Sequence, residues 1–394
     1  MTEVLYSGGQ LFNGADPVLD HHSVLVDGDR IKDVGPADKF SGFEGAIVDT
    51  SGGTLMPGMA DCHVHILYKG GANPSAESEG LNPAEITING LENAQATLRA
   101  GVTAVRDCGG QDFLEFPIRD ACNSGRFAGP TMMAAGKMIC MTGGHGNRFG
   151  RVADGCDEVV KAVREQVHAG CDLVKIMATG DVMTKGVDPE DAHYSAEEMA
   201  AGINEAKRFR RTTASHAQGA EGIMNAVKGG ITSIEHGIFM DEDCLEEMLE
   251  RGTYLVPTLA AVKNILLNKD NGIADYVVEK AMRVFERHIE SFKMFYKAGG
   301  KIAMGTDAGT PFNLHGKNPQ ELSYMVDCGM SPIDSLISAT KVAHELMQLE
   351  DRGQVKAGFK ADLVLVSGNP AEDIQMAADP ENHRFVIKNG QKVN

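Results

Sequence analysis

The stretch CDEVVKAVREQVHAGCDLVKIMATG, residues 156–180, reads as a helix followed directly by a strand. In its first half Val159, Ala162, Val163 and Val167 recur at the spacing that lines one face of a helix. Its second half is a short apolar run closed by Gly180, the length of a buried strand. The unit then repeats, with a helical pattern in SAEEMAAGINEAKRF (195–209) leading into TTASHAQG (212–219). Strands alternating with helices of this length are the pattern of right-handed βα units around a parallel sheet.

Working outward from this unit, eight strands can be counted. They are GMADCHVH (58–65), GVTAVRDCG (101–109), TMMAAG (131–136), CDLVKIMATG (171–180), TTASHAQG (212–219), TSIEHG (232–237), YLVPTL (254–259) and KIAMGTDAG (301–309). Eight such units predict an α/β fold, a (β/α)8 TIM-type barrel, over residues 57–352. Residues 1–56 and 353–394 have a different texture. SVLVDGDRIKDVG (23–35) alternates polar and apolar positions about an Asp-Gly-Asp turn, and HRFVIKNGQKV (383–393) does so about an Asn-Gly turn. These two ends are expected to pair into a small β-sandwich beside the barrel.

Composition narrows the function classes. Lys plus Arg total 37 against 55 Asp plus Glu, a net charge of −18, which argues against nucleic acid or an anionic membrane as partner. The eight Cys are scattered with no C-x-x-C pair, as in reduced thiols of a cytoplasmic protein. No run approaches the roughly 18 apolar residues of a membrane span, and the first residues lack the features of a secretory signal. A small-molecule substrate is the expected partner.

In a barrel of this class the C-terminal strand ends carry the chemistry. Here strand one ends in His63-Val64-His65, strand four carries Lys175, strands five and six end at His216 and His236, and strand eight reaches Asp307. Strand alternation turns His63 and His65 to the same face. Four imidazoles and a carboxylate at one rim are costly to bury unless a cation ties them together, which predicts a metal centre. Lys175 lies between Val174 and Ile176, so it points inward, where an unpaired ammonium is strongly disfavoured. It is either paired with an acid or converted by carbon dioxide to a carbamate, an anion able to bridge two metals.

MPGMADCHVH, AGVTAVRDCGG, MTGGHG, DLVKIMATGD, HAQGAEGI, SIEHG, MGTDAGTP and RGQVKAGFKADLVLV together resemble the metal-dependent hydrolase branch of the amidohydrolase superfamily. That branch includes imidazolonepropionase-like enzymes and Xaa-Pro or Xaa-basic dipeptidases. The resemblance implies two divalent ions, most simply zinc. His63, His65 and Asp307 would hold one, His216 and His236 the other, and carboxylated Lys175 would bridge them. A bridging hydroxide would then attack an amide of a dipeptide or N-acyl amino acid, with Asp307 moving the proton. The resemblance also implies a homo-oligomer, and a substrate-carbonyl role for His145 in the glycine-rich loop MTGGHGNRFG.

Arg148 and Arg151 follow in that loop as candidate carboxylate grips. Tyr68, Lys185 and His315 are candidates for the pocket wall by their place in loops after strands one, four and eight. Two positions depart from the proline dipeptidases: Gln218 stands where they carry Tyr, and Asp181 where close relatives carry Gly. Asp181 admits a cationic substrate group. The main alternative is a mononuclear enzyme, a deaminase or imidazolonepropionase. Such deaminases place a Glu three residues after the strand-five His, here Gly219. A non-catalytic barrel is disfavoured because all six ligand positions are filled.

Overall fold

A computed structural model describes residues 3–393. The helix at Cys156–Ala169 and the strand at Leu173–Met177 form where the opening stretch places them. Val174 and Ile176 pack against Val159, Val163, Met199 and Ile203 of the flanking helices, so Lys175 falls on the opposite, inner face. The next helix, Ala196–Arg208, starts on a capping box in which Ser195 accepts from the Glu198 amide and Glu198 reaches back to the Ser195 amide.

The chain is α/β. Six strands form one parallel sheet, in the order Arg151–Val152, Ile139–Cys140, Leu173–Met177, Thr212–Ala217, Ser233–His236 and Tyr254–Val256. A second parallel sheet holds Met59–Val64, Val102–Asp107 and Thr131–Ala134. Residues 301–309, expected as a strand, form only isolated bridges at Ile302 and Ala308, a correction with a visible cause. Asp307 and Gly309 take φ of 63° and 105°, which no extended strand tolerates. The segment is nevertheless tied on both sides. Ala303 N donates to Leu255 O at 3.0 Å, Cys62 N to Met304 O at 2.8 Å, and Asp307 N to His63 O at 2.7 Å. At the other junction Asp172 N donates to Ala134 O at 2.9 Å.

The two ends of the chain pair as their patterning predicts. Gly53–Pro57 runs antiparallel to Leu363–Ser367, within a five-stranded sheet that faces a four-stranded one across Tyr6, Val24, Ile31, Leu55, Leu363 and Leu365. The last hairpin turns at Asn389 and Gly390, both at positive φ (49° and 75°), as a two-residue turn between twisted strands requires. Among the described residues no helix is long and apolar enough to cross a membrane.

Candidate active site

Strand ends bring the predicted residues into one cleft of about 480 Å³. His63, His65, Lys175, His216, His236 and Asp307 all line it, with His145, Tyr68, Arg148 and Gln218. The rings of His63 and His65 lie 5.3 Å apart, His63 and His236 5.3 Å, and His216 and His236 4.6 Å.

Each imidazole spends one nitrogen on the protein. His63 Nδ1 bonds Glu235 Oε2 at 2.8 Å, His65 Nδ1 the Gly109 carbonyl at 2.7 Å, His236 Nδ1 Thr258 Oγ1 at 2.7 Å, and His216 Nε2 the Gly180 carbonyl at 2.9 Å. Anchoring one ring nitrogen in this way fixes the tautomer that leaves the other free to ligate a metal. Burial, before any neighbouring charge, pushes the His63, His216 and His236 imidazoles well below their usual pKa, so they stand neutral.

His63, His65 and Asp307 place ligand atoms within 4.8 Å of one another. Asp307 Oδ1 lies 3.2 Å from His65 Nε2 and 3.4 Å from His63 Nε2, yet it makes no well-formed hydrogen bond. Burial alone would raise the Asp307 carboxyl, but His63 and His65 beside it hold it at about 2, so it is an anion. A buried carboxylate oxygen left without a partner among imidazole nitrogens is a donor set that a divalent cation fits. Lys175 is 1% exposed, with Nζ 3.3 Å from His63 Nε2. Among the described residues no carboxylate lies within 4.0 Å of that nitrogen. The acid partner that an ordinary buried lysine requires is not there.

Behind the imidazoles lies a polar layer that the sequence reading did not name. Glu235 Oε1 accepts from Arg106 Nη2 at 2.7 Å and from Ser233 Oγ at 2.6 Å, while Arg106 Nε donates to the Cys62 carbonyl at 2.6 Å. Asp61 ties the strand of His63 to the segment of Asp307. It accepts from the amides of His63 and Thr306, both at 3.0 Å, and from Asn318 Nδ2 at 2.8 Å. The available signal was polarity alone, in Asp61 two residues before His63 and Glu235 one before His236. Arg106→Met would strand the buried Glu235 charge, and is expected to cost about 3–5 kcal/mol of folding stability. Denaturant unfolding checks this, and a loss no larger than a surface substitution gives would contradict it.

His145 reaches the cleft from the glycine-rich loop, its ring 4.4 Å from that of His216. Its Nδ1 sits 3.1 Å from both Asp181 Oδ2 and Thr184 Oγ1, which turns Nε2 away from them. Asp181 is not open to a cationic substrate, contrary to expectation. It is buried, faces His145 and accepts from the amides of Met183 and Thr184 at 2.8 and 2.9 Å.

Three further candidates need correction. Arg151 turns out of the cleft to pair with Glu158 and Glu165. Arg148 lines the cleft but is paired with Glu79. His315 stands behind His65, its Nε2 3.2 Å from the His65 carbonyl, and is not part of the cleft wall. Cys62 is buried with Sγ 3.5 Å from the Ala343 carbonyl, which suits packing.

The profile of the Amidohydrolase family matches residues 54–393. The chain belongs to the amidohydrolase family. This amidohydrolase is 30% identical to ochratoxinase from Aspergillus niger over 369 residues, 86% of this chain and 75% of that one. Among solved structures it is similar to a Xaa-Pro dipeptidase with bound methionine in the active site, at TM-score 0.91 and 35% identity over 99% of both chains. It is similar also to a prolidase complexed with N-methylphosphonate-L-proline, at TM-score 0.91 and 30% identity over the full length of both. The amidohydrolase is thus a hydrolase acting on amide-type carbon–nitrogen bonds.

Proposed function

We propose that this amidohydrolase is a two-metal enzyme on a (β/α)8 barrel that hydrolyses the amide of a dipeptide or N-acyl amino acid and releases a free amino acid. The observation that carries the reading is Lys175, a fully buried lysine without an acid partner among four imidazoles and Asp307. As a carbamate it would be an anion able to help hold a pair of divalent ions, most simply zinc. His63, His65 and Asp307 would hold one ion, and His216 and His236 the other. Support for the barrel comes from the parallel pairing of its strands and from segment 301–308, which is bonded to neighbours on both sides.

When bound, the ions supply a water acidic enough to lose its proton near neutral pH and a Lewis acid for the scissile carbonyl. The protein's own groups do the rest. Asp307, ionised at neutral pH, accepts a proton on a carboxylate oxygen and returns it to the departing nitrogen, since an amine must leave protonated. His145, held at Nδ1 by the Asp181 carboxylate and Thr184, presents Nε2 to the carbonyl oxygen and, with a proton on each ring nitrogen, donates from Nε2 as charge develops there. The apolar side of the cleft offers competing water no hydrogen-bonding partner.

A panel of dipeptides and N-acyl amino acids, incubated with zinc-loaded enzyme, tests the reading. Release of a free amino acid is expected, lost on chelation and regained with zinc. Metal-replete protein that cleaves no amide in the panel would overturn it.

A further inference from the structure

The cleft has one wall without polar side chains. Val182, Ile238, Val262 and Ile265 line it, 6%, 0%, 4% and 1% exposed, and they continue into a small core under the helices Leu259–Leu267 and Asp275–Lys297. A substrate group lying there must be apolar, because a polar one would lose its water without a partner.

The charges of the cleft are unevenly committed. Neither of its two lining carboxylates is open to a substrate cation: Asp181 is bonded to His145 and backbone amides, and Asp307 lies at the centre beside His63 and His65 as a candidate metal ligand. Of its three basic side chains, Lys175 lies at the centre, where the reading above makes it a carbamate, and Arg148 is paired with Glu79. Lys185 remains, exposed at the rim, with no carboxylate within 4.0 Å among the described residues.

The backbone around Lys185 is held in place. Lys280 Nζ donates to the Thr184 carbonyl at 2.9 Å and to the Val187 carbonyl at 2.5 Å, on either side of Lys185. Tyr276 Oη, one turn earlier on the same helix, donates to the Met183 carbonyl at 2.9 Å. An unpaired cation on a fastened loop, beside an apolar wall, is organised before a ligand arrives.

We propose that Lys185 grips the free carboxylate of the substrate while the wall of Val182, Ile238, Val262 and Ile265 takes its apolar side chain. The substrate class is then the N-acyl or N-aminoacyl derivative of an apolar amino acid with its carboxylate free. The inference rests on the amide-hydrolase reading above.

Kinetics on N-acyl-leucine, N-acyl-lysine and N-acyl-leucinol, the last an analogue without the carboxylate, test it. The wild type should favour the leucine derivative over the leucinol by about tenfold in kcat/KM. Lys185→Met should erase that preference by raising KM for the leucine derivative rather than lowering its kcat, with a far smaller change in the leucinol reaction. Lys185→Glu should reverse the preference. Lys185 is exposed, so both variants should keep the wild-type melting temperature and metal content. An unchanged leucine-to-leucinol ratio in Lys185→Met, or a wild type that prefers the lysine derivative, overturns the inference and leaves the amide-hydrolase reading standing. A wild type that cleaves none of the three, nor any other amide, removes both.

Discussion

Replacing Lys175 by alanine is expected to lower activity by on the order of 10³ or more and to empty the metal pair, in a protein that still folds. The site has five other candidate ligands, and only Asp307 among them is an anion. Two dications held close by four imidazoles, which bring no negative charge, and one carboxylate repel each other with little to offset it. The substitution also leaves a space in the shape of the missing arm. Acetate or propionate in the buffer should enter it and restore part of the metal content and part of the rate. Lys175→Glu should do less well, because its arm is shorter than a lysine carbamate. An ordinary protonated lysine makes the opposite demand: no carboxylate from solution would rescue the alanine variant. Paired assays of metal and activity, with and without propionate, separate the two.

The second large effect is expected at His145. His145→Ala should lower kcat by about 10² to 10³, the cost of removing one donor to a developing oxyanion, while the metal content stays at the wild-type level. The separation follows from geometry. His145 is tied to Asp181 and Thr184 and meets the centre only by its ring contact with His216, whose own anchor is the Gly180 carbonyl. Steady-state kinetics beside elemental analysis check the pair of outcomes. A variant with unchanged kcat would return His145 to an ordinary loop residue, and one that loses metal would move it into the ligand set.

The repeating βα pattern was legible because it depends on local spacing. Helix Ala196–Arg208 carries its start signal in Ser195 and Glu198, and strand Leu173–Met177 needs only alternation to turn Lys175 inward. The last strand was misread because its apolar pattern is real but its backbone is not extended. Gly305 sits so close to the neighbouring segment that an added Cβ would fall 2.3 Å from Val256 Cγ1, and Asp307 then turns into the left-handed region.

Alternation also hid Glu235. Adjacent residues of a strand point to opposite faces, so alternation alone assigns Glu235 to the face away from His236 and the site. His236 has φ of 73°, which breaks the alternation and lets both side chains serve the centre, one facing the cleft and one behind His63. The fates of Arg148, Arg151 and Asp181 were illegible for another reason. Sequence gives a charge but not its partner: Glu79 and His145 lie far along the chain from Arg148 and Asp181, and even the near Glu158 and Glu165 are not marked out for Arg151 among the acids around it.

The central claim is a pair of metal ions bridged through Lys175. Elemental analysis of the wild-type chain, purified with zinc and bicarbonate present, measures it most directly. The account predicts about two equivalents per chain, because the six candidate ligands exceed the three or four that a single zinc ion takes from protein. A fully active enzyme that holds one equivalent, and takes up no more when zinc and bicarbonate are added, would contradict it.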